Sequence, residues 1–320
     1  MGMDNEFLAA VVRRQFKKFG TEIDFQIVIA DKRKIVEAEK DLEQAERKCD
    51  EIEKIFSRFD TESELMKINS QLGVSWPAST QLVEIAKLAL SYNQETEGYF
   101  DPRIIGELEA TGYNCDFERI KEAKISAAKK VINFERALSE DLIIKEGTLT
   151  FKERMDFTGI VKGYAVDQIA KFFKACGWKN FLVDCGGDMF FSGKDQKGNP
   201  WYIDIEGIAY QNLMLELQEK AIATSGIGKR KWEIAGKRFH HLVNPKACGQ
   251  YCFDLKAVTV VADSAAEADV WAKTLFVMGA SAAKSLAQEK ELACAILAYR
   301  GGVWVSTEFK KYLHNPKNNE

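Results

Sequence analysis

Hydrophobic and polar positions alternate over residues 21–30, TEIDFQIVIA, and this two-residue period predicts a β-strand. From Ile35 onward the apolar residues recur every three or four positions, which predicts one long amphipathic helix with Lys and Glu on its outer face. Its apolar face consists of Ile35, Ala38, Leu42, Ala45, Cys49, Ile52 and Phe56. A second helix is predicted over residues 79–96, where Ser79 or Thr80 is suited to cap the N-terminus.

The second half of the chain is dominated by short apolar runs that are separated by turn residues. Strands are predicted within KNFLVDCGG, PWYIDIEGI, LMLELQ and AVTVVAD, and two more within ACAILAYRGGVWVST, where Gly301-Gly302 suits a tight hairpin turn. Residues 116–151 are charged and mixed, and predict only short helix and strand pieces. Strands joined as hairpins, together with long helices, favour an α+β fold rich in antiparallel sheet. No segment reads as a linker, so residues 1–320 are predicted to form a single domain.

Composition narrows the class of protein without identifying it. The 320 residues are 46% hydrophobic and 29% charged, as in an ordinary globular protein, and the formal net charge of -3 argues against binding to nucleic acid. No apolar run has the length of a membrane span. Seven scattered cysteines without paired short spacings favour reduced thiols, and hence a cytoplasmic location.

Four segments carry candidate chemistry. In MDFTGIVKGYAVD, Gly159 and Gly163 flank Lys162 before a helical pattern, an arrangement that lets the backbone and an ammonium group approach phosphate. VDCGGD follows an apolar strand and ends in an acid, AIATSG contains a hydroxyl pair, and HHLVNP contains a histidine before a turn. Each segment alone is more typical of an ordinary loop or turn, whereas their order along the chain is specific.

Together these segments resemble the FAD:protein FMN transferase family, also called ApbE. FGTEIDFQIVI is similar to the family's opening Met-Gly-Thr and strand, with Phe19 in the methionine position. FSRFDTESELMKINS and TEGYFDPRIIGEL are similar to its next two blocks, and MDFTGIVKGYAVD and VDCGGD to its two most recognisable motifs. AIATSG, HHLVNP and the helix that contains Asp269 complete the order, so the resemblance covers most of the chain.

The resemblance implies an ApbE-like fold, related to the T-fold, and a reaction in which FAD is cleaved with help from Mg²⁺. FMN is then attached through a phosphoester to a Thr or Ser of an acceptor protein, and AMP leaves. It also implies that His241 and Asp188 serve proton transfer or orientation, and that the metal is bound by the Gly159 carbonyl and the Asp269 carboxylate. The residues implied to bind FAD are Phe19, Phe59, Tyr99, Phe100, Asp101, Asp156, Lys162, Gly186, Gly187, Thr224, Ser225 and His241.

The sequence departs from the family pattern at the metal site. The family has a threonine ligand four residues after its metal-binding aspartate, but here Lys273 stands there and Thr274 is displaced by one. An ammonium group has no lone pair with which to coordinate a cation. Lys273 therefore either takes the metal's place, or swings aside from a weakened metal site, or forms an exposed helix pair with Asp269. Asn244 also replaces the family's usual Asp before proline.

Three hypotheses follow for the function. The first is a transferase that acts on FAD and an acceptor flavoprotein, for which the need for Mg²⁺ is open. The second is a noncatalytic FAD-binding module that has lost a metal ligand, and the third is a structural domain without a ligand. Since only loose matches to an acceptor pattern occur, such as DTES, the chain is predicted to be the modifying partner. Family members are often exported, so an exported form with its signal removed is an alternative to the cytoplasm.

Overall fold

The fold is taken from a computed structural model, which describes residues 9–113, 136–205, 213–228, 230–234 and 236–314. Its strands are β1 (Ala10–Lys18), β2 (Thr21–Ile29), β3 (Trp76–Pro77), β4 (Leu142–Lys145), β5 (Thr148–Phe151), β6 (Phe181–Cys185), β7 (Asp188–Ser192), β8 (Trp201–Asp204), β9 (Met214–Leu217), β10 (Lys220–Gly226), β11 (Lys231–Ile234), β12 (Lys237–His240), β13 (Leu255–Ala262), β14 (Ala293–Ala298) and β15 (Val303–Val305). Its α-helices are α1 (Ile35–Phe56), α2 (Glu64–Asn69), α3 (Thr80–Glu95), α4 (Ile105–Ala110), α5 (Leu138–Asp141), α6 (Thr158–Ala175), α7 (Ala265–Met278) and α8 (Ala280–Glu289).

An eight-stranded sheet forms the centre of the fold, in the order β1-β2-β6-β7-β10-β13-β14-β15. Every neighbouring pair in it is antiparallel. Three small antiparallel sheets, β3-β5-β4, β8-β9 and β11-β12, surround it. The predicted α+β class with antiparallel sheets and long helices is therefore confirmed.

The predicted elements occur where the hydrophobic pattern placed them. The apolar face of α1 is buried from Ala38 to Phe56, and Ser79 caps α3 by accepting a hydrogen bond from the Leu82 amide at 3.2 Å. Both glycines of the β14–β15 turn have positive φ angles, 88° at Gly301 and 90° at Gly302. The predicted segment 116–151 lies partly outside the described residues, and its described part forms α5, β4 and β5. The single-domain organisation of residues 1–320 stays a prediction.

Apolar side chains cover both faces of the central sheet. On one face, α1, α6 and α7 pack against the strands through residues such as Phe25, Phe173 and Phe276. On the other face, the β8–β9 hairpin and the chain near Phe309 cover side chains such as Ile222. The helix-covered face is the one that matters for the candidate site, because α6 and α7 lie on it side by side.

Helices α6 and α7 approach until their backbones touch at Gly163. A methyl group placed on Gly163 would lie 2.5 Å from the carbonyl oxygen of Ala265 and 2.6 Å from the α-carbon of Ala266. Asp167, one turn further along α6, accepts hydrogen bonds from the amides of Ala265 at 2.7 Å and Ala266 at 3.0 Å, and so caps the N-terminus of α7. Gly163 therefore serves helix packing inside α6, and the expectation that it opens the helix toward a ligand is wrong for this residue.

None of the helices in the described ranges combines the length and apolarity that a membrane span needs. The six cysteines in those ranges are free thiols, and Cys49, Cys185 and Cys294 are buried.

Gly163→Ala tests the helix contact. Alanine ordinarily favours a helix over glycine by about 1 kcal/mol, but here its methyl group forces α6 and α7 apart. We expect the free energy of unfolding to fall by about 1–2 kcal/mol in urea titration, since overpacking commonly costs about 1–3 kcal/mol. A variant more stable than the wild type would contradict the close contact between α6 and α7 at Gly163.

His240 makes the stability depend on pH. Its ring is buried among Tyr251, Phe253 and Phe276, with Nε2 2.9 Å from the Cys252 carbonyl oxygen, and burial lowers its pKa from 6.5 to about 4. As pH falls through this window the unfolded chain binds the proton first, so the folded state loses up to about 3 kcal/mol.

We therefore expect His240→Gln to show a smaller loss of unfolding free energy than the wild type between pH 6.5 and pH 4, by urea titration at each pH. His314→Gln is the control for removal of a histidine elsewhere. If the unfolding free energies of the wild type and His240→Gln fall in parallel as the pH is lowered, His240 is not the source of this pH dependence.

Candidate functional site

Four charged side chains form two ion pairs where α6, α7 and β7 meet. The Lys162 ammonium donates to Asp188 Oδ2, and the Lys273 ammonium donates to Asp269 Oδ1. The two carboxylate side chains are 1% exposed, whereas the two lysine side chains are 20% exposed. We call these four residues the charge cluster: its acids are buried, and its lysines are partly exposed to solvent.

The two pairs act on each other electrostatically. Burial lowers the pKa of Lys162, but the charges of Asp188 and Asp269 outweigh it and raise that pKa to about 12. Burial and the charge of Asp269 raise the pKa of Asp188 to about 6, against the opposing effects of Lys162 and Lys273. All four groups therefore belong to one site.

Gly159 forms part of the wall of this site, in the first turn of α6. A methyl group placed on Gly159 would lie 3.2 Å from Phe100 Cε2 and 3.8 Å from Lys273 Cδ. A larger side chain at this position would therefore press on both neighbours. The structure thus places Gly159 beside Phe100 and Lys273, and Lys273 in turn binds Asp269.

His241 lies beside the charge cluster, directly after β12. Its Nδ1 is 3.3 Å from the carbonyl oxygen of Arg230. Burial, followed by the charges of Arg230 and Lys273, lowers the pKa of His241 well below 6.5, so the imidazole is neutral at pH 7. The Arg230 guanidinium also donates to the Gly20 carbonyl oxygen at 3.2 Å, which brings the turn that contains Phe19 to the same region.

The turn between β6 and β7 contains Gly186 and Gly187, both in the left-handed region with φ of 69° and 99°. Any side chain at Gly186 would collide with Thr21, and the Gly187 amide donates to Asp184 Oδ1 at 2.8 Å. The two glycines permit the tight reversal that places Asp188 at the start of β7.

Phe59 and Asp156 belong to a second group of side chains, built around Arg58. The Arg58 guanidinium carbon lies 4.3 Å from the ring centre of Phe59 and 4.4 Å from that of Tyr113, so it stacks on both rings. Its Nε is 3.5 Å from Asp156 Oδ2, while Asp156 Oδ1 accepts from the Thr158 amide at 2.8 Å. Asp156 thereby connects this group to the start of α6.

The turn over residues 99–101 has mainly structural contacts. Asp101 is buried and bound by Arg103 at 2.6 Å, and Arg103 also binds Asp141 at 2.6 Å. The Tyr99 ring lies 4.3 Å below the Lys246 ammonium. The Asp101 carboxylate is thus already engaged by a cation within the protein.

Thr224 and Ser225 point to opposite faces of β10. Ser225 is buried on the side of Ala223, which packs under α7, and Asp188 lies on this side as well. Thr224 lies on the other side, where its hydroxyl is 2.9 Å from the Thr259 hydroxyl. The structure does not bring Thr224 into the charge cluster.

The interpretation of Lys273 and Asp269 as an exposed helix pair is wrong, because Asp269 is 1% exposed.

Asn244, which replaces the family's usual Asp, has a structural role. Its Oδ1 accepts from the Lys246 amide at 3.0 Å, and its Nδ2 donates to the Val277 carbonyl oxygen at 3.2 Å. Asn244 thus connects the turn after His241 to the end of α7.

Sequence reasoning missed two cationic residues, Arg58 and Arg230. Arg58 stands within the quoted FSRFD stretch, next to Phe59, and a buried carboxylate such as Asp156 needs a cation nearby. Arg230 lies a few residues after the Ser-Gly motif, and the path of the chain between β10 and β11 determines where its side chain lies. No local sequence pattern therefore indicated that Arg230 lies near the charge cluster.

The chain is similar in sequence to one known protein family. A sequence model described as the ApbE family matches residues 19–297. Two proteins named FAD:protein FMN transferase are similar to the chain. The one from Klebsiella pneumoniae (strain 342) is 26% identical over 83% of this chain and 80% of its own length, and the one from Escherichia coli (strain K12) is 25% identical over 86% and 82%.

Solved structures show the same fold. The flavinyl transferase ApbE of Pseudomonas stutzeri, in its apo form, superposes with a TM-score of 0.82 at 22% identity, covering 97% of this chain and 99% of that one. An ApbE protein from Thermotoga maritima gives a TM-score of 0.82 at 23% identity, covering 96% and 100%.

Asp188→Asn tests how the buried pairs contribute to stability. The variant leaves the Lys162 ammonium in a partly buried place without its acid, so we expect the free energy of unfolding to fall by about 3 kcal/mol, the low end for a broken buried pair. The double variant Lys162→Met/Asp188→Asn should recover most of this loss, as measured by urea titration. A double variant as unstable as the sum of its single variants would contradict the coupling of the two residues.

Proposed function

The chain belongs to the ApbE family, and from this premise we propose that it is a FAD:protein FMN transferase, as its relatives are named. It cleaves FAD, attaches FMN through a phosphoester to a Thr or Ser of an acceptor protein, and releases AMP. The observation that carries this proposal is the convergence of the family's motif positions Gly159, Lys162, Asp188, His241 and Asp269 around one charge cluster. A cytoplasmic location stays a prediction.

The charge cluster suits the diphosphate of FAD. Its partly exposed groups are the ammonium ions of Lys162 and Lys273, and both are held in position by buried carboxylates. Two oriented cations neutralise the phosphate charge, which otherwise repels the attacking oxygen.

In the transfer step, the hydroxyl oxygen of the acceptor attacks the phosphorus of the FMN half. A new phosphorus–oxygen bond forms to the acceptor, the bond to the phosphate of AMP breaks, and AMP leaves with its electron pair. His241 is neutral, so it can accept the hydroxyl proton. The phosphates of bound FAD offset the positive charges of Arg230 and Lys273, and this makes the imidazole a stronger base when the substrate is present.

Asp188 has a supporting role in this proposal. Its carboxylate is almost fully buried and bound to Lys162, so it orients that ammonium and is not accessible to the acceptor hydroxyl. Flavin binding by Phe19, Phe59, Asp156 and the β6–β7 turn remains a family expectation. Stacking on Phe59 requires the face that Arg58 does not cover.

The residues present do not fit the Mg²⁺ that the family resemblance implies. Lys273 stands where a threonine ligand is expected, its ammonium has no lone pair, and it already occupies Asp269 Oδ1. In the described ranges no group of three or more acidic, histidine or cysteine side chains is arranged to hold a metal ion. We therefore assign no step to a metal ion.

The proposed activity is tested by incubating the purified chain with FAD and an acceptor domain that a related transferase flavinylates. We expect AMP by chromatography and covalent flavin fluorescence on the acceptor after denaturing electrophoresis. The same acceptor with its target Thr changed to Ala is the control, since it lacks the attacking hydroxyl. His241→Gln should reduce the rate by about 10²–10⁴-fold without weakening FAD binding to the same extent.

Stable binding of FAD without AMP or labelled acceptor would instead support a noncatalytic FAD-binding module. The substitution at Lys273 is the observation that favours this second candidate. A chain that binds no FAD at all would contradict both functions.

A further inference from the structure

We propose that the Lys273 ammonium is a resident cation that replaces the divalent metal of the site, so that Lys273 and Lys162 bind the FAD diphosphate without a metal ion. The inference rests on the proposed function only in naming FAD as the ligand. The inference also states that the site repels a divalent cation, and this statement does not depend on the identity of the ligand.

The ammonium group lies on one of the atoms that a metal would use. Lys273 is one turn after Asp269 on α7 and donates to its Oδ1. The stem of Lys273 passes Gly159, the residue whose carbonyl the family motif assigns to the metal. The second oxygen of Asp269 is buried and has no hydrogen-bond partner among the described atoms. Lys273 thus binds one expected ligand and lies beside the residue that would supply the other.

The adjacent hydroxyl of Thr274 does not restore the missing ligand. Thr274 is the adjacent residue on α7, but it points about 100° away from Lys273 around the helix. Its side chain is completely buried, and its hydroxyl has no partner among the residues described. Thr274 therefore faces the packed interior and not the charge cluster.

The charge of Lys273 favours an anion over a cation at this site. The positive groups are Lys162, Lys273 and Arg230, and the negative groups are Asp188, Asp269 and Asp184, so three charges of each sign balance. Lys273 adds one positive charge where the family has a neutral threonine, and this charge attracts a diphosphate and repels a divalent cation. With a neutral residue in place of Lys273 the acids outnumber the cations, and the Asp269 carboxylate becomes available as a ligand.

The exposure of the lysines and the burial of the acids also favour the binding of an anion. An approaching ligand meets the two lysines, each 20% exposed, before it meets the two acids, each 1% exposed. An ammonium group has three donors, and among the described residues each lysine uses one on its acid. The other donors of both lysines are proposed to bind phosphate oxygens.

The test compares FAD affinity, by isothermal titration calorimetry, in EDTA and in excess MgCl₂. For the wild type we expect the same affinity in both buffers. Lys273→Met should weaken FAD binding by at least about tenfold in both, because one charged hydrogen bond to phosphate is lost. Lys273→Thr should weaken it in EDTA and recover it in MgCl₂, since the hydroxyl restores a metal ligand.

Three controls separate the proposal from loss of folding and from unrelated charge effects. Lys171→Met removes an exposed lysine from α6 and should leave the affinity unchanged. Lys273→Met/Asp269→Asn removes both charges of the pair, leaves no unpaired buried acid, and should bind FAD as weakly as the single variant. Riboflavin has no phosphate, so its affinity should be equal in the wild type and Lys273→Met.

Binding of Mn²⁺ to the FAD-free protein, followed by electron paramagnetic resonance, tests the exclusion of metal independently. We expect binding by Lys273→Thr and none by the wild type. A wild type that needs Mg²⁺ for FAD, or binds Mn²⁺ as tightly as Lys273→Thr, would overturn the inference while the transferase function stands. If the wild type binds no FAD in either buffer, the proposed function and the FAD part of the inference both fail, and the Mn²⁺ result still decides whether Lys273 excludes a cation.

Discussion

Helices α6 and α7 touch backbone to backbone at Gly163, and the geometry of the charge cluster depends on this contact. The cap that Asp167 makes on the first amides of α7 fixes the position of one helix along the other. Lys162 and Lys273 come from these two helices, and β7 supplies Asp188 beneath them. A shift of half a turn between the helices would move Lys162 away from the Asp269–Lys273 pair. Packing of small residues thus determines where the charges lie.

The central elements were predictable because each has a local physical cause. The burial of α1 follows from its apolar spacing, and the β14–β15 turn follows from two adjacent glycines. The convergence of Lys162, Asp188 and Asp269 was predictable only from the family motifs, since the three residues are far apart in the sequence. The role of Gly163 was not predictable, because a glycine in a helix looks the same whether it faces a ligand or another helix.

The sequence also did not show on which face of the sheet a strand residue lies, or which cation pairs with a buried acid. Thr224 and Ser225 are adjacent in one motif, yet the alternation of a strand puts them on opposite sides of the sheet. Asp101 and Asp156 are both acids in family motifs, but Arg103 and Arg58 are already their partners. Which cation reaches which buried acid depends on tertiary contacts, and a single sequence does not contain that information directly.

A lysine in place of a metal changes binding and chemistry to different degrees. The ammonium is covalently attached, so it is present in every molecule and needs no free ion, and this favours retention of the diphosphate. A divalent ion has twice the charge and accepts lone pairs from phosphate oxygens, whereas an ammonium group only donates hydrogen bonds. Polarisation of phosphorus is therefore weaker with Lys273 than with a metal. We infer that any transfer by this chain relies more on the position of the acceptor hydroxyl, on Lys162 and on His241 as the proposed proton acceptor. The presence of Lys273 in place of a metal ligand should therefore reduce the rate of transfer more than the affinity for FAD.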